Sequence, residues 1–134
     1  MSINLVKLIQ NMYEKTNCSI KLKHGRSRSF RTDRGVQQGC ILSPRLFNIF
    51  INDIPPIFGT DCEPLKLGDE MLNCLMYAED LVILSESATG MQNCLDKLKE
   101  YTIEWGLNIN RAKTKILIFQ RGGLRPKLTF EFGN

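Results

Sequence analysis

The sequence predicts an α+β fold: a small antiparallel sheet with helices packed on one face. Three observations carry this prediction. Apolar side chains recur at three- and four-residue steps within 3–15 and 87–105; short alternating or apolar runs bounded by turn residues occupy 18–32 and 71–85; and an apolar stretch led by proline begins at Ser43. No internal repeat, low-complexity tract or linker interrupts the 134 residues, so one domain spanning 1–134 is expected.

Leu5, Leu8, Ile9 and Met12 give the first helix its apolar face, and Asn17 is a plausible stop. From Cys18 to Lys23 polar and apolar residues alternate as in a half-buried strand. His24-Gly25-Arg26 can turn the chain, with Ser29 to Thr32 returning as the second strand of a hairpin. Gly35 to Leu42 reads as a loop. Ser43-Pro44 then gives a hydroxyl N-cap with proline at the first helical position. Leu46, Phe47, Ile49, Phe50, Ile51 and Ile54 make the helix that follows a buried one, stopped by Pro55-Pro56. Asp61 to Gly68 reads as an irregular crossing. Met71 to Tyr77 and Leu81 to Ser85 read as strands of a hairpin joined across Ala78-Glu79-Asp80. Ser87 or Thr89 caps a helix carrying Met91, Leu95, Leu98, Thr102 and Trp105, and Gly106 ends it. Lys115 to Phe119 is expected as a last strand, with a weaker one after Gly122-Gly123.

Bulk properties narrow the function classes. No apolar run approaches the ~18–20 residues that span a bilayer, and the N-terminus lacks the pattern of a signal peptide; no membrane partner and an intracellular location, cytoplasm or nucleus, are expected. Cys18, Cys40, Cys62, Cys74 and Cys94 are scattered without a Cys-x-x-Cys pair, which fits free, buried or half-buried thiols better than disulfides or a zinc site. The formal charge is +4, and its distribution matters more than its size. Lys21, Lys23, Arg26, Arg28, Arg31 and Arg34 are opposed only by Asp33, and a second cluster runs through Arg111, Lys113, Lys115, Arg121, Arg125 and Lys127. Such patches attract phosphate backbones through counterion release, and they also occur as plain solvated faces.

Glu79-Asp80 is the residue pair with the most chemistry. Adjacent carboxylates at a hairpin tip repel, and tight turns favour glycine or asparagine. A cation relieves that repulsion: Mg²⁺ takes hard oxygen ligands, often one or two carboxylates plus substrate phosphates. Paired ions ~3.5–4 Å apart stabilise both the attacking and the leaving oxygen of a displacement. Taken alone, the pair is more readily explained as a solvated turn.

Its surroundings change that weighting. Gly35-Val36-Gln37-Gln38-Gly39-Cys40-Ile41-Leu42-Ser43-Pro44-Arg45-Leu46-Phe47-Asn48 closely resembles the reverse-transcriptase pattern G-V-x-Q-G-x-x-L-S-P-x-L-F-N. Tyr77-Ala78-Glu79-Asp80 resembles that family's Y/F-A-D-D signature, and Gly106 through Lys113-Thr114 resembles its next block. Three blocks in order are far more specific than any one. The resemblance is strongest over residues 5–120 and is closest to the LINE-type, non-LTR retrotransposon branch, in which cysteine commonly follows the Gln-Gly pair.

The resemblance implies a partial reverse-transcriptase palm and an RNA-directed DNA polymerase activity, in which a primer 3′ hydroxyl attacks the α-phosphate of a deoxynucleotide. Its partners would be an RNA template, a DNA primer and deoxynucleoside triphosphates, with Mg²⁺ as cofactor. Asp80 and Glu79 would be the catalytic metal-binding carboxylates. Lys113 would be the catalytic lysine near the triphosphate, neutralising charge or protonating the leaving pyrophosphate. Gly35, Gln38 and Gly39 would face template and nucleotide, the glycines permitting close backbone approach, and Tyr77 would lie near the primer end. Two departures bear on activity. The family's first catalytic aspartate lies on a strand before the first helix here, and none of Asp33, Asp53, Asp61 and Asp69 takes its place in the order of blocks. Glu79 replaces the first aspartate of the signature, shifting a carboxylate by about one methylene, a scale on which rates fall ~100-fold. The chain alone is therefore expected to be inactive as a polymerase. The alternative is a non-catalytic nucleic-acid-binding remnant that uses the basic clusters.

Overall fold

The computed structural model describes residues 2–14, 16–32, 34–124 and 126–133. They form two compact units, Met1–Ser43 and Pro44–Asn134. The α+β class is as expected, with mixed helices and small antiparallel ladders. The ladders are four two-stranded pairs, where the sequence had pointed to one small sheet under a layer of helices.

In the first unit, α1 (Ile3–Glu14) follows the expected helical spacing and buries none of its residues. The hairpin after it is longer and less regular than the alternation implied. β1 (Asn17–Cys18) pairs with β4 (Phe30–Arg31), while β2 (Lys21–Leu22) pairs with β3 (Gly25–Arg26) around a turn at Lys23-His24. Asn17 therefore begins a strand as well as following a helix. The pairing Cys18↔Phe30 and the pairing Lys21↔Arg26 differ in register by one residue, so Ser27-Arg28-Ser29 opposes Ser19-Ile20 as a bulge. Ser27 stabilises that irregularity: its hydroxyl accepts from the Ile20 N–H at 2.9 Å and donates to the Arg28 carbonyl at 2.9 Å.

The second unit holds the core. Ile51, Ile54, Phe58, Cys62, Cys74, Cys94, Leu98 and Tyr101 are buried together, with Met76, Leu81, Ile83 and Phe132 among the partly buried side chains packed on them. The helix beginning at Ser43 ends sooner than expected: α2 is Ser43–Phe50, and after a turn a second short helix, α3 (Ile54–Ile57), contains the two prolines. Pro55-Pro56 starts a helical turn here, because a fixed φ and a missing N–H are harmless in a first turn. α2 is also less buried than its composition implied, with Ile49 and Phe50 exposed.

Residues 61–68 are more ordered than an irregular crossing. A 3-10 turn (Thr60–Cys62) leads into β5 (Leu65–Leu67), which pairs with β6 (Glu70–Leu72) across Gly68-Asp69. Gly68 supplies the positive φ of 63° that so tight a turn requires. The run Met71–Tyr77 is consequently broken at Asn73, whose amide donates to the carbonyls of Phe58 (3.0 Å) and Pro55 (3.4 Å). Beyond that corner lies the hairpin of β7 (Cys74–Tyr77) and β8 (Asp80–Ile83).

α4 (Ala88–Trp105) begins and ends as expected. Ser87 accepts from the Gly90 N–H at 2.9 Å, and Gly106 closes the helix in the left-handed region. Its buried stripe is Gly90, Cys94, Leu98, Tyr101 and Thr102, rotated from the expected one. Small side chains at 90 and 94 let the helix approach the Cys62 segment closely: a Cβ on Gly90 would stand 2.7 Å from the Cys62 carbonyl oxygen. Lys97 and Asp61 (2.6 Å) and the Asn93 amide on the Asp61 carbonyl (2.7 Å) tie the same two segments from outside. The expected strand Lys115–Phe119 does not form, nor does a strand form after Gly122-Gly123 among the described residues. Ile116, Leu117, Ile118 and Phe119 have strand-forming side chains but no ladder partner among those residues, and Phe119 is 91% exposed. The tail returns to α4 further on, where the Gln92 amide donates to the Glu131 carbonyl and accepts from its N–H.

Candidate functional site

The β7–β8 hairpin fixes where each side chain of Tyr77-Ala78-Glu79-Asp80 goes. Its register pairs Cys74 with Ile83, Leu75 with Val82, Met76 with Leu81 and Tyr77 with Asp80. Side chains alternate across a strand, and burial follows the alternation. Cys74, Met76, Leu81 and Ile83 turn to the core, while Leu75, Tyr77, Asp80 and Val82 form one exposed face. Tyr77, 84% exposed, and Asp80 are thus direct cross-strand neighbours. The tip is Ala78-Glu79 alone, so Glu79 is the apical carboxylate and Asp80 the first residue of the returning strand. Among the described residues neither carboxylate makes a side-chain hydrogen bond or ion pair with the protein.

A feature that sequence reasoning missed lies just before them. Ala78 has φ of 50°, in the left-handed region where a Cβ costs about 1–2 kcal/mol. A two-residue turn calls for that conformation, and the usual sequence signal for it, glycine or asparagine, is absent.

In the first unit, Gly35 and Gly39 both have positive φ, 84° and 80°, and a Cβ on either would meet nothing within 4 Å. Backbone conformation, with open space beside it, is what requires glycine there. The two glutamines divide the work of the loop. Gln37 anchors it: its carbonyl accepts from the Cys40 N–H at 3.3 Å and from the Ser43 hydroxyl at 2.6 Å, and its amide donates to the Thr16 hydroxyl at 3.2 Å. Gln38 stands exposed at the turn with Gly39, its amide without a protein partner among the described residues. Ser43 was expected to cap α2; instead its hydroxyl reaches back to Gln37 and lies 3.3 Å from the Tyr13 hydroxyl, holding the loop against the helix start. Tyr13 also donates to Cys40 Sγ at 3.9 Å. The backbone N–H of Leu42, the larger cause, and that bond hold the Cys40 thiol below its ordinary range. Nothing in the spacing of the motif pointed to Tyr13.

Lys113 lies on an exposed turn after α4. Its N–H donates to the Asn110 carbonyl (3.1 Å), as does that of Thr114 (3.0 Å), whose hydroxyl adds a 2.9 Å bond to the same oxygen. Of the other carboxylates considered from sequence, Asp53 accepts from the Tyr101 hydroxyl, Asp61 is paired with Lys97, and Asp69 sits in the turn between β5 and β6. Asp33 and Arg125 lie outside the described residues. All five cysteines are free; Cys62, Cys74 and Cys94 are buried, and Cys18 and Cys40 half-buried. Among the described residues no three of His, Cys, Asp and Glu are grouped to hold a metal ion, and no helix is long and apolar enough to cross a membrane.

A glycine-turned Gln loop, an exposed Tyr-x-x-Asp hairpin tip and a lysine turn, met in that chain order, are where the structure places the three motif blocks. Comparison with known proteins agrees. A family model described as reverse transcriptase (RNA-dependent DNA polymerase) matches residues 1–132, and the chain belongs to that family. It is 34% identical over 112 residues, 81% of this chain and 10% of the relative, to the Retrovirus-related Pol polyprotein from type-2 retrotransposable element R2DM of Drosophila melanogaster. It is 28% identical over 131 residues, 98% of this chain and 13% of the relative, to the Pol polyprotein from type-1 retrotransposable element R2 of Nasonia vitripennis. Against the RNA-directed DNA polymerase from mobile element jockey of Drosophila funebris, identity is 28% over 125 residues, 89% of this chain and 13% of the relative. These relatives are non-LTR elements, the branch to which the motifs pointed. The chain spans about a tenth of the length of the curated relatives it matches. No solved structure matches it significantly.

Proposed function

We propose that this chain supplies the carboxylate hairpin and nucleotide-facing loop of an RNA-directed DNA polymerase palm, acting within the cell on an RNA template, a DNA primer and deoxynucleoside triphosphates. The observation that carries the reading is the Tyr77↔Asp80 pairing, which puts an aromatic ring and a carboxylate side by side on an exposed face with Glu79 at the apex. Glu79 and Asp80 are hard oxygen donors of the kind Mg²⁺ selects, and two carboxylates leave most of an octahedral sphere to water and phosphate oxygens. The donor chemistry fits; these two residues would hold the ion. Bound there, Mg²⁺ would supply charge neutralisation where a phosphoryl group is transferred.

The remaining roles belong to the chain's own residues. Tyr77 offers a flat apolar surface beside the carboxylates for the primer terminus. Gln38 presents both a donor and acceptors at an open glycine turn, suited to a base or sugar edge. Lys113 can bring a positive charge to a triphosphate and a proton to the departing pyrophosphate. With two carboxylates at the hairpin tip and no third His, Cys, Asp or Glu grouped with them among the described residues, the chain by itself is expected to bind metal and not to extend a primer.

Paramagnetic broadening by Mn²⁺ tests the reading. Amide signals of residues 77–80 are expected to broaden first, and Asp80→Asn to abolish the effect. Broadening elsewhere, or unchanged broadening in the variant, would overturn the metal assignment. A primer-extension assay of the chain on an RNA template is expected to give no metal-dependent product; such product would show that Glu79 and Asp80 suffice. The non-catalytic alternative draws support from one observation, the exposed cations Lys21, Lys23, Arg26 and Arg28 of the first hairpin.

A further inference from the structure

The hairpin of the first unit carries four cations, Lys21, Lys23, Arg26 and Arg28, that no described carboxylate pairs. Between Thr16 and Thr32 stand Lys21, Lys23, Arg26, Arg28 and Arg31, with no Asp or Glu. Arg31 is engaged, its guanidinium donating to the Glu14 carbonyl at 3.0 Å. Lys21, Lys23, Arg26 and Arg28 are all exposed, and none is paired with a carboxylate among the described residues. Lys21 is placed directly opposite Arg26 in the ladder. Like charges in that relation oppose strand pairing, so the register holds against their repulsion, and a polyanion laid along the ribbon would relieve it. The bulge at Ser27-Arg28-Ser29 increases the local twist, so the ribbon can follow a curved surface.

The chemistry of the strip selects among polyanions. Along the ribbon from Ser19 to Ser29 there is no Phe, Tyr or Trp, and the hairpin's ring of that kind, Phe30, stands at its base opposite Cys18, whereas single-strand binders stack successive unpaired bases on such rings. Cations set away from stacking rings read phosphates rather than bases, and a duplex of A-form geometry, whose major groove is deep and narrow, is held through its backbone. Copying RNA into DNA leaves an RNA–DNA hybrid.

We propose that the bulged hairpin β1–β4 is a phosphate-backbone clamp for that hybrid duplex, with Lys21 and Arg26 as its central contacts. The identity of the duplex rests on the polymerase reading; the clamp itself rests on the hairpin.

The test is fluorescence anisotropy with the whole 134-residue chain. The probes are a short RNA–DNA hybrid, a single-stranded RNA of the same length, and vesicles of equal parts phosphatidylcholine and phosphatidylserine, at about 50 and about 200 mM salt. The hybrid is expected to bind most tightly. In the double variant Lys21→Gln/Arg26→Gln two counterions fewer are released, so the affinity ratio between the two salt concentrations shrinks about ten-fold. The charge-conserving exchange Lys21→Arg/Arg26→Lys is expected to keep the original ratio. Removing like charges should not unfold the hairpin, and a circular dichroism melt of each variant establishes this. An unchanged salt ratio in the glutamine variant, equal or tighter binding of single-stranded RNA or vesicles, or no hybrid binding would each overturn the clamp. Mn²⁺ broadening at residues 77–80 in the same samples separates the two readings. Broadening without hybrid binding removes the clamp alone; hybrid binding that the glutamine variant weakens, without broadening, removes the polymerase site and leaves the clamp.

Discussion

The Tyr101 hydroxyl donates to the Asp53 carboxylate over 2.6 Å, joining the C-terminal end of the second unit's long helix to the residue that precedes Ile54-Pro55-Pro56-Ile57. Asp53 is in the N-cap position of that short helix, yet its side chain makes no cap hydrogen bond, because it is turned to the phenol. The ring itself is buried and tilted against Trp105 at 6.1 Å.

Tyr101→Phe keeps the ring and removes the bond. A hydrogen bond to a charged group is worth about 1.5–3 kcal/mol, so unfolding by urea should show a loss of about 2 kcal/mol. The pH dependence follows from the same contact. Burial, then the Asp53 hydrogen bond, push the Tyr101 phenol above its ordinary value of 10.0. With the folded value above the unfolded one, folding favours the protonated phenol. That contribution is whole below pH 10.0 and is lost as pH rises through the folded value. Stability of the native chain should therefore fall more steeply above this point than that of Tyr101→Phe.

Gly90→Ala should destabilise despite improving helix propensity. The added Cβ would stand 2.7 Å from the Cys62 carbonyl oxygen and 2.9 Å from Glu63 Cβ, and a backbone oxygen cannot move aside as a side-chain tip can. Overpacking of this kind costs about 1–3 kcal/mol, against about 1 kcal/mol of propensity gained. A net loss of up to about 2 kcal/mol in denaturant unfolding is expected; a more stable variant would mean that helix and turn are not in close contact.

The thiols should divide by environment when a disulfide reagent is added to folded protein. Backbone and hydroxyl donors around half-buried Cys40 favour its thiolate, the reactive form. Burial, followed by the neighbouring Cys62, pushes the Cys94 thiol up to about 12, and burial also raises Cys74. Cys40 should label first, and Cys62, Cys74 and Cys94 only on unfolding. Early labelling of Cys94 would contradict the core described above.

What could be read in advance was what local patterning decides. The two long helices, the cap at Ser87 and stop at Gly106, and the hairpin bearing Glu79 and Asp80 all announce themselves by periodicity or end residues. Other features are decided by partners. Ile116 to Phe119 have the side chains of a strand, but a strand needs a neighbour, and none of the described residues pairs with them. Pro55-Pro56 reads equally as a stop or a start, and the tertiary bond from Tyr101 to Asp53 is invisible in spacing. The Leu65–Leu72 hairpin was legible after all, since Gly68-Asp69 between leucine-bearing runs is a two-residue turn signal. In the candidate site the motif nominated the residues, while the division between an anchoring Gln37 and a presented Gln38 required coordinates.

Ala78 joins the fold to the site most directly. Its φ of 50° places an alanine where glycine belongs, at the tip that carries Glu79 and precedes Asp80. Backbone strain of this kind persists when surrounding structure over-determines it, and here the register from Cys74↔Ile83 to Tyr77↔Asp80 does so. Ala78→Gly would relieve about 1–2 kcal/mol of left-handed strain and lose about 0.5–1 kcal/mol to the greater freedom of the unfolded chain. The net expectation is a gain of about 0.5–1 kcal/mol in unfolding free energy. If an alanine at this position also fixes the direction in which Glu79 points, the glycine variant should bind Mn²⁺ more weakly at residues 77–80 even as it becomes more stable. Stability and metal affinity rising together would show instead that the tip is strained without consequence for the carboxylates.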